Sequence, residues 1–527
     1  MNAQTMPTDY VVVGSGSSGA VIASRLSENS RNQVVLLEAG LEDKDKFIHI
    51  PMGFSRLFRT EHDWDYFTEP QPALNDRQIY WPRGKMLGGC SSMNAMMWVR
   101  GFAADYDEWA AHSSQDWSFR NVVEYFKRIE CCEGAQESDE GASGPLAVSR
   151  QRSPRPLTDD YLQAVQEVGF KVERPNRPQP EGFSNTVVNQ RRGARCSTAD
   201  AYLCPARKRE NLNIVTGALV TRVVFDGSRT VGVEYDQEGS RRFIQARQEV
   251  VLCGGAVNSP QLLMLSGIGD TKQLQRHGID VVYHSPEVGQ NLADHLLCAL
   301  GYSVQSGSLF SAQSPIELAK YLLLRRGMLT SNVVEAYGFI RSRHDLELPD
   351  LELLFGVAPY YDGGLREPTC HGVAMGPILI KPQSRGQVSL QSNDPRAKPV
   401  IDPRYLSDSD GADRAAMMEG LRVTHRIATT ARLRGKLGHF LQPPDAQGSL
   451  EDIFDEALRG YSHTLYHPTG TCRMGSDPGS VVGPDLKVRG VEGLRVADAS
   501  IMPTIIRGHT HAPCVVIGER AADLIRA

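Results

Sequence analysis

A short stretch near the N-terminus limits the fold of this chain more than any other feature. An apolar run, Asp9–Val13, leads into Gly14-Ser15-Gly16-Ser17-Ser18-Gly19 and then a helix-like AVIASRLSEN. A second apolar run, Val34–Leu37, ends at Glu38. Strand, glycine turn, helix, strand and acidic residue in that order predict a βαβ unit of the doubly wound α/β type. Each residue type has a physical task. Gly14 permits the tight turn, Gly16 lets a pyrophosphate approach the backbone, and Gly19 lets helix and strand pack closely. The helix N-terminus offers free N–H groups and the positive end of its dipole to phosphates. Glu38 can accept hydrogen bonds from a ribose diol, and its charge disfavours the 2′-phosphate of NADP. The motif alone does not separate FAD from NAD.

The chain has 527 residues, room for roughly two to four domains. Its net charge of −5 gives no overall electrostatic footprint for nucleic acid or an anionic membrane. No apolar run approaches the ~18 residues of a membrane span. The opening MNAQTMPTDY lacks the basic and apolar regions of a secretory signal. Ten scattered cysteines, with no CxxC and only the adjacent pair Cys131-Cys132, predict a reduced, cytoplasmic protein.

Residues 40–80 (with HDWDYFTEPQP) read as loop and lid. Residues 81–101, WPRGKMLGGCSSMNAMMWVRG, place a glycine pair before small polar residues, a second close approach to a ligand. Residues 133–156 read as an exposed connection. Residues 214–253 (IVTGALVTRVVF, TVGVEYD, RRFIQA, QEVVLC) read as successive short strands with turns at Asp226-Gly227 and Glu238-Gly239. GGAVNSPQLLMLSGIG is a second glycine turn into a helix, with Asn258 or Ser259 as N-cap and Pro260 in its first turn. Between about 300 and 450 the pattern changes to longer alternating strands and a helix near 412–432, as in a separate domain. A short strand at 494–498 and an amphipathic helix at 512–526 end the chain.

Four histidines, His463, His467, His509 and His511, crowd the C-terminal region. His463 and His467 have the i,i+4 spacing of a helical metal pair. However, Thr464 stands where HExxH has its glutamate, and Pro468 disfavours a helix at His467. The metal reading is therefore set aside. The alternative pairs His467 with His509 as general acid/base groups beside a redox cofactor, because an imidazole titrates near neutral pH. His463 is assigned to packing and His511 to the border of the cofactor. Cys472 has no resolving cysteine nearby and reads as a buried small residue.

The βαβ unit, RGKMLGGCSSMN, GGAVNSPQLLMLSGIG, GQNLADH, YHPTGTCRMG and the HTHAP end occur in the order found in glucose–methanol–choline (GMC) oxidoreductases. Over about residues 8–526 the chain resembles that family, nearest its choline-dehydrogenase-like and alcohol-dehydrogenase-like members. The resemblance implies FAD. It implies a Rossmann-like FAD-binding domain assembled from residues 1–155, 195–300 and 455–527. A substrate domain from residues 156–194 and 301–454 would carry an antiparallel sheet backed by helices. Gly14, Gly16, Ser17, Ser18 and Gly19 would hold the pyrophosphate, and Glu38 with Ala39 the adenosine ribose. Arg83, Gly88, Gly89, Asn94, Ala95 and Met96 would line the pyrophosphate and flavin side. Val220 would meet the adenine, Asp498 and Ala499 the pyrophosphate and ribityl chain, and Thr510 and His511 the isoalloxazine.

In that pattern His467 and His509 are the catalytic pair. Choline-specific members usually carry Asn at the second position, so His509 favours a more general alcohol chemistry. Met93 stands where members with a histidyl-flavin bond carry histidine, which implies non-covalent FAD. Glu335 matches a glutamate that pairs with the substrate cation in choline-using members, although a buried structural acid is the preferred reading. The implied reaction oxidises a small-molecule alcohol to an aldehyde or ketone and passes electrons to oxygen, a quinone or another carrier. An FAD-containing lyase, a non-catalytic dinucleotide-binding protein and a metallohydrolase are the competing classes.

Overall fold

The computed structural model describes residues 8–527 other than 137 and 445. Most of the opening stretch read above for a secretory signal lies outside the described residues. Strand β1 (Thr8–Val13), helix α1 (Gly19–Leu26) and strand β2 (Val34–Leu37) form the βαβ unit, with β1 and β2 parallel and in register from Tyr10 opposite Val34. The chain then gives β3 (Phe183–Asn185) to a second sheet and returns with β4 (Leu212–Val215), parallel to β2. Two hairpins follow, β5 (Leu219–Asp226), β6 (Arg229–Gln237) and β7 (Ser240–Leu252). They turn at Gly227 and at Glu238-Gly239, all with positive φ.

Sequence reading splits RRFIQA and QEVVLC into two strands, but β7 is one strand of 13 residues. Its polar first half pairs antiparallel with β6. Its apolar second half runs parallel beside β1, from Tyr10 opposite Glu249 to Val13 opposite Leu252. The change of partner, and so of burial, accounts for the break in hydrophobic pattern that looked like a strand end.

Helix α2 (Gly255–Leu265) follows directly, beginning after Gly254. This corrects the N-cap expected at Asn258 or Ser259: both lie inside the helix, as does Pro260. The Ser259 hydroxyl accepts from Gly254 N–H, which places the cap-like bond one turn into the helix. The chain next builds β8 (Leu300–Val304), helix α3 (Pro315–Leu324), β9 (Val334–Ile340), β10 (Leu351–Gly356), β11 (Gly372–Leu379), helix α4 (Ala412–Ala428) and β12 (Leu437–Gln442). It closes with β13 (Leu494–Val496), parallel to β7, and helix α5 (His511–Arg526).

The first sheet has the order β4-β2-β1-β7-β6-β5, with β13 on the other side of the second half of β7. The second sheet has the order β12-β8-β11-β10-β9-β3, with every pair antiparallel. Helix α4 buries Met417, Met418 and Leu421 against it, in the core shared with Tyr161 of the neighbouring helix Pro156–Glu167. A doubly wound sheet plus an antiparallel sheet backed by helices is the fold class expected above. Residues 133–156 are not all connection: Leu146–Arg150 is a strand beside Glu130–Cys132. Residues 40–80 include short helical turns at Lys46–His49 and Pro51–Leu57.

Candidate active site

A cavity of about 330 Å³ runs between the two sheets, from Glu38 and Val220 at one end to His467 and His509 at the other. The first end is made largely of backbone. Gly14 has φ +96°, and a Cβ there would lie 2.5 Å from the Cys253 carbonyl oxygen. One on Gly19 would lie 1.9 Å from the Gly14 carbonyl oxygen. A Cβ on Gly16 would meet no protein atom within 4 Å, and Gly16 lines the cavity. Gly14 and Gly19 are thus fixed by packing, whereas the space at Gly16 opens onto the cavity.

The N-terminal ends of α1, α2 and α5 converge here: Ser17 and Ser18, Gly255 and Ala256, and Thr510 and His511 all line the cavity. Three helix dipoles point their positive ends at this part of the cavity and favour an anion. The hydroxyls of Ser17 and Ser18 are already committed, to His511 Nδ1 (2.9 Å) and to the Cys514 carbonyl (2.9 Å). What they leave to a phosphate is backbone N–H.

Glu38 accepts from Ser15 N–H, Ser15 Oγ and Gly40 N–H at 2.7–2.9 Å. Burial nevertheless pushes its carboxyl above the ordinary value. Ala218 N–H donates to the Glu38 carbonyl, which brings Val220 and Ala39 to the same end. Asp498 accepts from Gly255 N–H, Ser259 Oγ and Ser500 N–H, tying the start of α2 to the strand-β13 loop. Ala499, Arg83, Gly89, Asn94, Ala95 and Met96 also line the cavity. Gly88 and Gly19 do not: Gly88 N–H donates to the Ser15 carbonyl and locks the two glycine turns together.

The opposite end is made of side chains. The rings of His467 and His509 lie 4.8 Å apart between centroids. His467 N–H donates to Asp294 Oδ1 at 2.8 Å, and its Nδ1 is 3.0 Å from His295 Nδ1. Asp294 in turn accepts from the Tyr405 hydroxyl, which accepts from Trp81 Nε1. This arrangement has a simple origin. Ala293 bridges to Thr469, and Leu296–Leu297 pairs antiparallel with His463–Thr464, so GQNLADH and YHPTGT run side by side. His509 Nε2 is 3.1 Å from Glu352 Oε1 on β10; Glu352 is fully buried, and its Oε2 has no partner.

Burial, reinforced by the His509 and His295 imidazoles, holds His467 well below the ordinary histidine value. Burial also lowers His295 and His511 to about 3. These rings are neutral at physiological pH. Met93 lines the cavity and offers it only a thioether.

The other expected residues sit elsewhere. Glu335 is off the cavity wall and accepts from Arg155 N–H, Thr158 Oγ1 and Ser331 Oγ at 2.6–2.7 Å. His463 is in a two-residue strand rather than a helix, with Nδ1 on the Thr464 carbonyl and its ring against Tyr360. Cys472 is fully buried, and all ten cysteines are free thiols.

Sequence reasoning missed four contributors. Asp294 and His295 lie in a motif used for the resemblance, but no role follows from local pattern. Glu352 looks like one inward position in an apolar strand. Arg195 is buried, with Nη1 on the Ser91 carbonyl and Asn94 Oδ1 and Nε on the Ile48 carbonyl, while its Nη2 has no partner.

Family models for GMC oxidoreductases match residues 8–297 and 382–518. The chain belongs to the GMC oxidoreductase family. It is 63% identical over 524 residues to a GMC-type oxidoreductase of Mycobacterium tuberculosis, covering 99% of each chain. It is 39% identical to an alcohol dehydrogenase [acceptor] of Pseudomonas putida, covering 98% of this chain and 95% of that one. Among solved structures it superposes on a variant of an Aspergillus oryzae formate oxidase, made to test the effect of mutation on FAD modification, with TM-score 0.92, 26% identity and 99% coverage of both chains. No helix among the described residues of this GMC oxidoreductase is long and apolar enough to cross a membrane.

Proposed function

We propose that this GMC oxidoreductase binds FAD without a covalent link and uses it to oxidise a small alcohol to an aldehyde or ketone. The carrying observation is the two-ended cavity: three helix N-termini and an open glycine at one end, paired buried imidazoles at the other. FAD, when bound, supplies the two-electron acceptor for the hydride leaving the carbinol carbon. Gly16 and the helix N-termini suit its pyrophosphate, Glu38 suits a ribose diol, and Met93 has no group that forms a flavin bond.

The chain's own task is the proton. In the tautomer with hydrogen on His467 Nδ1, that hydrogen is donated to His295 Nδ1 and Nε2 of His467 is left unprotonated. A neutral imidazole held this way accepts the hydroxyl proton as the carbinol carbon loses hydride. Asp294 fixes the backbone at His467 and His295 fixes the ring, so the base does not need to find its orientation during reaction. His509, held by Glu352, gives a second hydrogen-bonding ring to the same oxygen.

The test is an anaerobic screen of alcohols against the flavin-loaded protein. At least one alcohol should bleach the flavin absorbance, and precipitation with acid should release the yellow colour. A flavin that no alcohol bleaches, beside turnover of a cyanohydrin, would transfer the site to lyase chemistry. Repeating positive alcohols with oxygen and with a quinone dye identifies the electron acceptor.

A further inference from the structure

Helix α3 carries the least protected apolar surface on the molecule. Of the large apolar side chains that the described residues leave exposed, six of 14 fall between Phe310 and Leu324, including Ile316 at 69%, Leu322 at 61% and Leu323 at 81%. The helix is not loosely held. Tyr321 is buried with its hydroxyl directed at the His49 carbonyl, and buried Glu317 accepts from Met328 N–H and pairs with Lys320. Glu317 and Tyr321 point inward while the leucines, with Lys320, face outward, so the exposed face is mostly apolar, unlike that of a helix on a water-facing surface.

The surface beside it is basic. A tight hairpin, Gln190–Arg191 with Ala194–Arg195, packs at Gly193 against the Arg325 carbonyl and the Arg152 side chain. Gln190 Nε2 also donates to the Thr330 carbonyl. Arg191, Arg192, Arg325 and Arg326 are all exposed there, and none has a carboxylate partner among the described residues. The chain's net charge of −5 averages over this concentration and hides it.

We propose that α3 and this arginine rim dock the protein on the surface of an anionic phospholipid bilayer, with the leucines entering the headgroup–acyl boundary. A protruding apolar helix rimmed by cations without carboxylate partners has the chemistry of an interfacial anchor. A second copy of the chain fits less well. The helix is about 15 Å long, small against the roughly 800 Å² per partner of a stable interface, and symmetric pairing would bring two arginine rims together. The docked face also adjoins the cavity: the Met328–Thr330 turn packs on Pro51–Leu57, and Phe54 and Val333 line the cavity wall. This inference stands independently of the proposed reaction.

The test is co-sedimentation of the full chain with vesicles of phosphatidylcholine alone or mixed with phosphatidylglycerol. Binding should appear with the mixed vesicles and fall when salt rises from about 0.1 M to about 0.5 M. Leu322→Asp with Leu323→Asp should weaken it more than about a hundredfold. Arg191→Glu with Arg326→Glu should weaken it at least about tenfold. Both variants should keep the parent melting temperature; if either does not fold, the lipid and salt dependence of the unmodified chain decides. Equal sedimentation with both vesicle types, or none with either, overturns the proposal. So does a lipid-free dimer that the leucine substitutions convert to monomer.

Discussion

The two ends of the cavity are built in different ways. The end near Glu38 is made of main chain: glycines without side chains, helix N-termini, and hydroxyls turned away into the protein. The end near His467 is made of side chains from four distant stretches, Asp294-His295, Glu352, His467 and His509, held by one another. A main-chain site tolerates little added volume but does not depend on ionisation. A side-chain site tolerates volume but depends on each proton being in its place. The same kind of substitution should therefore have opposite consequences at the two ends.

The largest effect should come from the side-chain end. His467→Ala removes the proposed base while leaving every glycine contact intact. Flavin reduction by an active alcohol should slow by about 10²–10⁴, with FAD retained and the melting temperature nearly unchanged. Stopped-flow absorbance measures it, and reduction at the parent rate would remove His467 from the mechanism.

At the main-chain end, two glycine substitutions separate packing from binding. In Gly19→Ala the new Cβ would lie 1.9 Å from the Gly14 carbonyl oxygen, a rigid backbone atom. It should lower stability by several kcal/mol, at or beyond the about 1–3 kcal/mol of ordinary overpacking. In Gly16→Ala the Cβ enters open space, so the apoprotein should melt as the parent does. Its FAD affinity should nonetheless fall, because the methyl group occupies the proposed path of the pyrophosphate. Equal stability losses for both, or unaltered FAD binding by Gly16→Ala, would erase the distinction between the two glycines.

The same division explains what could be read from sequence. A main-chain site is written in consecutive residues, since turn, helix start and strand end are local events. Gly14, Gly16, Gly19 and Glu38 were legible for that reason. Val220 and Asp498 were reachable only through the family resemblance. His467 and His509 stood out because histidines among glycines are chemically conspicuous. Their partners did not, because Glu352 on β10 meets His509 only where the second sheet faces the loop before α5, and Asp294 meets His467 only because residues 293–297 lie along 463–469. The arginine rim beside α3 is the same case: the pairs Arg191-Arg192 and Arg325-Arg326 lie far apart in sequence and are brought together only in the fold.

Ionisation of buried groups at both ends should show in the stability of the whole chain. His295 and His511 titrate at about 3 and His463 at about 4, and His467 is held well below the ordinary value, all chiefly by burial. Below the unfolded value near 6.5 the unfolded chain binds protons that the folded chain refuses, so stability falls as pH falls. Each such histidine costs about 1.4 kcal/mol per pH unit once the pH is below about 6. Buried Glu38, Asp294 and Asp498 have raised values and oppose the trend nearer the carboxylate range, where the folded chain holds the extra protons. Melting temperature should therefore decline between about pH 7 and pH 5.5. His463→Gln, away from the cavity wall, should flatten the decline without altering flavin reduction. A profile level through that interval would mean that these rings are not neutral in the fold.

The smallest effect tests whether the side-chain end is an ordered chain of contacts or merely a crowded one. Glu352 lines the cavity beside His509 and acts through that ring, as a positioning residue. Its Oε1 faces His509 Nε2, while its Oε2 is buried without a partner. Glu352→Gln keeps the shape and one acceptor oxygen, and its amide brings a donor to the unpartnered side. It removes only the charge, the difference between a charge-assisted and a neutral hydrogen bond, about 1 kcal/mol. Flavin reduction should slow by about five- to tenfold, with KM and FAD binding little changed. Glu352→Ala removes the contact itself and frees the His509 ring, so it should approach the loss seen with His509→Ala. Recovery in the glutamine variant, but not in the alanine variant, is the result that orientation predicts. If both variants reduce flavin as fast as the parent, His509 is held by packing alone, and the contrast between the two ends narrows to His467 and the aspartate–histidine pair behind it.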